Sequence, residues 1–237
     1  GRIEIHQVGG DLDPKSPLKI NLEGENLSAG PHQIQLQQID DIHLTNNSIY
    51  NIWMVGEDQA GNSLISDTIR HFTYDNSAPV LTMRHPAKND FINTVLIAYE
   101  NNERLETAQM TWEDETTGEI QNVGLSGNEL LEGLKTNQLL QQTPNLIDGH
   151  RYTLTISGRD IAGNISLPIV QNHITYDITK PSLVVDNLNS NDFIKSSNVS
   201  YRISEKLAEA KFEWITYDES GKENVITYLL SNELLLA

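Results

Sequence analysis

Residues 152–164 read "YTLTISGRDIAGN", and two features of that stretch decide the fold. Tyr152, Leu154 and Ile156 alternate with Thr153, Thr155 and Ser157, the period-two pattern of a half-buried strand. The strand runs into Asp160-Ile161-Ala162-Gly163-Asn164, and the same Asp-x-Ala-Gly-Asn ends "GEDQAGN" at 56–62. Gly permits the backbone reversal of a turn there, and Asp and Asn satisfy its hydrogen bonds. Asp58 and Asp160 stand 102 residues apart, as do Tyr50 and Tyr152, Tyr74 and Tyr176, and Pro79 and Pro181. A period near 100 points to repeated single domains rather than one large enzyme core.

Working outward, the middle copy is complete and runs over 78–179. The third begins at Lys180 and spans 180–237: Asn89-Asp90-Phe91-Ile92 returns as Asn191-Asp192-Phe193-Ile194, Tyr99 as Tyr201, Glu103 as Glu205 and Trp112 as Trp214. The register then slips by two, so that Asn128-Glu129-Leu130 meets Asn232-Glu233-Leu234. The first copy, 1–77, lacks its opening strands, because "RIEI" aligns with "KFEW". Such partial copies read as part of a longer chain, or as units completed by a neighbouring subunit. "IYNIWMVGED", "VLIAYE", "AQMTWED", "VQNHITYD" and "AKFEWITYD" supply further short strands, and "GNELLEGLKT" (127–136) reads as a turn or short helical crossover. The expected fold class is all-β: tandem sandwiches of about seven strands each.

The charge balance narrows the partners. Thirty-three acidic residues against 16 basic ones give a net charge of −17. With no basic run, nucleic acid is not an expected partner. A strong negative field suits solubility, self-repulsion along a chain, or divalent cations. The absence of cysteine excludes disulfides and thiolate metal sites. No apolar stretch reaches the roughly 18 residues of a membrane span, and "GRIEIHQVGG" lacks the apolar segment of a signal peptide.

The repeat resembles the bacterial Ig-like modules, close to fibronectin type III, found in tandem in large surface and adhesin-type proteins. The residues that carry the resemblance are Trp112, Leu130 to Gly133, Leu146, Gly149, Tyr152, Leu154, Ile156, Asp160, Gly163, Asn164, Tyr176, Asp177 and Pro181. They cover essentially one whole repeat, and their copies extend the likeness over the chain. The resemblance implies an extracellular or cell-surface location and neighbouring repeats of the same polypeptide, or adjacent subunits of a fibre, as partners. The residues also have mechanical readings of their own. Trp112 and Trp214 should fill the space between two sheets. Tyr50 and Tyr152 follow a turn, where a hydroxyl can tie back to upstream backbone. Pro79 and Pro181 end a ladder and stiffen the link to the next repeat.

Calcium is the one ligand the residues argue for, since it takes oxygen donors only. Asp58 with Asn62, Asp75, and Asn89-Asp90 form three oxygen-bearing clusters, which the second junction repeats as Asp160 with Asn164, Asp177, and Asn191-Asp192. If the Asp-x-Ala-Gly-Asn loop lies at the C-terminal pole of its repeat, each set converges between repeats, where an ion would lock the hinge. The plainer reading of the same residues is ordinary turns.

Other chemistries find less support. The histidines at 6, 32, 43, 71, 85, 150 and 173 are scattered, without a helical His-x-x-x-His pair. No Gly-x-Ser-x-Gly elbow or phosphate-cradling Gly-rich loop occurs. The run Glu113-Asp114-Glu115 reads as a solvated strand end or turn rather than a hydrolase acid pair. The sequence therefore points to a non-enzymatic stalk or spacer. Its alternatives are a glycan- or protein-binding module, with the long loop 9–21 as the candidate surface, and an accessory domain of a secreted enzyme.

Overall fold

The computed structural model describes residues 1–36, 39, 42–64, 66–195 and 198–229. Asn232-Glu233-Leu234 lies outside these residues. The chain divides into two compact units, Gly1–Tyr176 and Asp177–Ala237. Both are built almost wholly of antiparallel strands, as the alternating pattern requires.

In the first unit, β1 (Arg2–Gly10), β2 (Leu18–Asn21), β3 (Ser48–Val55) and β4 (Ile69–Tyr74) form one sheet in the order β2-β1-β3-β4. Ile5 and Tyr50 are fully buried on it, with Leu18, Ile20 and Ile42 packed around them. Two further sheets make the middle sandwich. One contains β5 (Leu81–His85), β7 (Leu96–Asn101) and β10 (Gly133–Leu139), in the order β10-β7-β5. The other contains β6 (Phe91–Ile92), β8 (Leu105–Asp114), β9 (Ile120–Gly124), β11 (Arg151–Asp160) and β12 (Ile169–Tyr176), in the order β6-β12-β11-β8-β9. Along β11 the side chains of Tyr152, Leu154 and Ile156 are buried and those between them are partly exposed, so the period-two reading holds residue by residue.

Trp112 of β8 sits at the centre of this sandwich with no exposed surface, among Tyr99, Met110, Leu154, Ile156 and Ile174. Its ring meets Tyr152 edge-on, with centroids 6.2 Å apart. In the first sheet Ile5 pairs with Ile52 as Trp112 pairs with Leu154, so Ile5 takes the tryptophan's place. Both tyrosine corners form. The Tyr50 hydroxyl accepts the Thr45 N–H at 2.8 Å, and the Tyr152 hydroxyl accepts the Ile147 N–H at 2.8 Å. The stretch 127–136 is a 3-10 turn, Gly127–Leu130, followed by β10. Ser126 and Glu129 close that turn as a capping box.

The second unit holds two hairpins: β13 (Leu183–Val185) with β14 (Tyr201–Ile203), and β15 (Lys211–Tyr217) with β16 (Glu223–Leu229). Leu183 faces Ile203 and Val185 faces Tyr201, as Leu81 faces Asn101 and Met83 faces Tyr99. Trp214 departs from the expected central position, being 41% exposed. The strands that cover Trp112, β11 and β12, have no counterpart among the described residues of 180–229.

Candidate functional site

The expected convergence of Asp58, Asn62, Asp75, Asn89 and Asp90 does not form. Asp58 lies beyond the Val55 end of β3, whereas Asp75 follows Tyr74, which pairs with Ser48 at the other end. The length of β3 keeps them about 23 Å apart. The Asp58 turn closes on itself: Oδ1 accepts the N–H groups of Ala60 and Asn62 at 2.8 Å, and Oδ2 accepts the Asn62 amide at 2.7 Å. Asn62 and the neighbouring N–H groups hold the Asp58 carboxyl below its ordinary range. Asn89 and Asp90 lie beside the far end of β12, where Asn89 N–H reaches Asn172 O at 3.1 Å and Thr175 N–H reaches Asp90 O at 2.8 Å. Asp177 begins the second unit, where its Oδ1 accepts the Thr179 N–H at 3.0 Å. Asp192 caps the Asn189 N–H at 2.8 Å, and Asn191 takes a left-handed backbone, φ 69°.

The pole is therefore reversed. The Asp-x-Ala-Gly-Asn loop faces the linker that enters its repeat, because β11 runs from the Tyr176 end of the sandwich toward the Asp75 end. Asp160 meets Asp75 there, together with Glu103 from the turn between β7 and β8, with carboxylate oxygens all within 4.8 Å of one another. Asp160 is 1% exposed. Its Oδ1 accepts the N–H groups of Gly163 and Asn164 at 2.7 and 2.9 Å, and its Oδ2 accepts the Asn164 amide at 2.9 Å. Gly163, at φ 100°, supplies the backbone reversal. Asn164 Nδ2 also donates to the Asp75 backbone oxygen at 3.2 Å.

The rest of the linker is gripped from both repeats. Asn46 accepts the Asn76 N–H at 2.7 Å and donates to the Ser77 hydroxyl at 2.8 Å. Asn102 accepts the Val80 N–H at 2.7 Å. Burial pushes the Glu103 carboxyl up, and the charges of Asp75 and Asp160 push it further in the same direction. Among the described residues, no Lys or Arg forms an ion pair with any of the three carboxylates. The trio offers only hard oxygen donors, the set that fits calcium. Lys135 of β10 is buried with its ammonium donating to the carbonyls of Leu131, Gly133 and Glu132 at 2.6, 2.9 and 3.3 Å, and burial lowers its pKa.

Two readings change on contact with the structure, and the long loop is placed. Glu103 belongs to the cluster, although the sequence singled it out only through its copy Glu205. Asp114 is not solvated: it is buried and accepts from Thr116 N–H at 2.8 Å while pairing with His150 Nδ1 at 2.7 Å. The loop 9–21 is tied to its own repeat, since Tyr50 donates to Asp13 Oδ2 at 2.7 Å and Gln7 N–H reaches Ser16 Oγ at 2.8 Å.

The class defined by this fold is all-β, built of antiparallel sheets packed as a sandwich. No family model matches the sequence, and no curated protein does. Among solved structures, the chain is similar to a tetra-tandem repeat in the extending region of a large adhesion protein. That likeness has 18% sequence identity and a TM-score of 0.36, covering 97% of this chain and 55% of the other. The chain thus spans about half the length of that structure.

Proposed function

We propose that the chain is a non-enzymatic spacer segment of a large extracellular or cell-surface repeat protein. In this reading sandwich repeats joined by gripped linkers form a stiff stalk, or part of a fibre, that holds another domain away from the surface. The observation that carries it is the linker 75–80, which Asn46 binds from one repeat while Asn102 and Asn164 bind it from the next. A linker held on both sides transmits orientation, whereas a solvated linker gives independent domain motion. A spacer requires shape and solubility, which the sandwich cores and the net charge of −17 supply. No helix among the described residues is long and apolar enough to cross a membrane.

The proposal includes calcium at Asp75, Glu103 and Asp160. When bound, the ion would supply positive charge against three crowded carboxylates, and Asn164 would keep the Asp75 backbone in place beside it.

The cysteine-free chain allows a direct test. Spin labels on Lys19→Cys and Thr107→Cys, both exposed positions, report the distance between the first and middle repeats. A single narrow distribution is expected, and a broad one would refute the stiff-spacer reading.

A further inference from the structure

The Asp-x-Ala-Gly-Asn motif contains one residue its turn does not need. Asp218-Glu219-Ser220-Gly221-Lys222 folds into the same turn: Asp218 N–H reaches Lys222 O at 3.0 Å, Gly221 N–H reaches Asp218 O at 2.9 Å, and Lys222 N–H reaches Asp218 Oδ1 at 2.9 Å. The corresponding bonds of the 160–164 turn are 3.1, 3.3 and 2.9 Å. Lysine therefore serves at the fifth position as well as asparagine does, and the side-chain amide of Asn164 calls for another explanation.

We propose that Asn164 is the clamp by which a repeat grips the linker that enters it. The inference rests on the stiff-spacer reading and assigns the residue that enforces it. An asparagine amide carries two hydrogens. Asp160 Oδ2 takes one of them and so orients the group, and the Asp75 backbone oxygen takes the other. Because the turn has already fixed the amide, gripping the linker costs little further side-chain entropy. Asn62 is held by Asp58 in the same way, at 2.7 Å. The orientation therefore belongs to the motif, and Asn62 shows it away from the 75–80 linker. The grip is to a backbone oxygen, so it is indifferent to the linker's side chains and can recur wherever the motif recurs.

The test uses the labelled full chain described above, carrying either Asn164→Ala or Asn62→Ala. Asn62→Ala removes the same turn bond without touching the linker. Asn164→Ala is expected to broaden the inter-repeat distance distribution about twofold, toward the independence of unrestrained domains, while Asn62→Ala leaves it unchanged. A narrow wild-type distribution that stays narrow in Asn164→Ala overturns the clamp and leaves the spacer reading intact. A broad wild-type distribution overturns the spacer reading itself. Side-chain amide exchange in the unmutated chain gives a second readout, independent of whether the variant folds. Asn164 should exchange more slowly than Asn62, and equal rates contradict the clamp.

Discussion

Asn164 Nδ2 donates to the backbone oxygen of Asp75 across 3.2 Å of space and 89 residues of sequence. That bond joins the last residue of a turn motif to the first residue of a linker, and it places the motif at the entrance of its repeat. Around it stand three carboxylates, of which Asp160 already accepts three hydrogen bonds from its own turn and Glu103 is pushed up by burial and by its two neighbours. The junction is thus held by amides and strained by charge.

The strain predicts a response to calcium and to Glu103→Gln. A carboxyl whose folded pKa is raised favours folding below its ordinary pKa, and that advantage is lost as pH rises through the raised value. At neutral pH without calcium, Glu103→Gln should therefore raise the melting temperature, by roughly 2–4 °C. Calcium should stabilise the wild type relative to chelator, and the variant should lose that gain. Identical melting of the wild type in calcium and chelator would remove calcium from the account.

The tyrosine corner predicts a localised loss. Tyr152→Phe deletes the acceptor of the Ile147 N–H while keeping the ring's packing. Losing this part-buried bond costs about 1 kcal/mol, measurable as a lower denaturant midpoint with an unchanged slope. A neutral substitution would mean that the hydroxyl is dispensable.

Trp112 predicts a graded loss. Its side chain is fully buried, and its Nε1 has no hydrogen-bond partner among the described residues. Trp112→Ala opens a large cavity and should cost about 3–5 kcal/mol. Trp112→Phe keeps an aromatic ring and removes the unpaired N–H, so about 1–2 kcal/mol is expected. Equal losses in chemical denaturation would argue that the indole N–H is satisfied.

Acid should loosen the middle repeat. Burial pushes the Asp114 carboxyl up, but His150 and the N–H groups of Thr116 and Thr117 outweigh it and bring it down to about 2. Burial likewise raises Glu115, while His173 and Thr153 bring it down to about 2. Depressed carboxyls contribute stability that is complete above their ordinary pKa near 4 and is lost as pH falls toward 2. An acid titration followed by NMR should show the repeat weakening over that window, and His150→Gln should raise the Asp114 midpoint.

The sandwich was legible because its signals are local. Tyr152, Leu154 and Ile156 alternate along one strand, and the copies at a fixed offset repeat the signal. The buried Trp112 and the Tyr152 corner follow from residue type and position. The junction was half legible. Asp75, Asp160 and Asn164 were identified as oxygen donors, but strand direction decides which pole a loop occupies, and an alternating pattern carries no direction. By sequence spacing Asp160 groups with Asp177, whereas the fold brings it to Asp75. Glu103 was visible only as one half of the pair with Glu205, since register does not say what a side chain faces. Three consecutive acids at 113–115 suggest solvent, because the histidine that hydrogen-bonds Asp114 lies 36 residues away.

The central claim is that the first and middle repeats move as one body through a gripped linker. Residual dipolar couplings of the full chain test it most directly, since each repeat reports its own alignment. One alignment tensor should fit residues 1–74 and 81–176 together. Two tensors of different magnitude would show independent repeats and contradict the account.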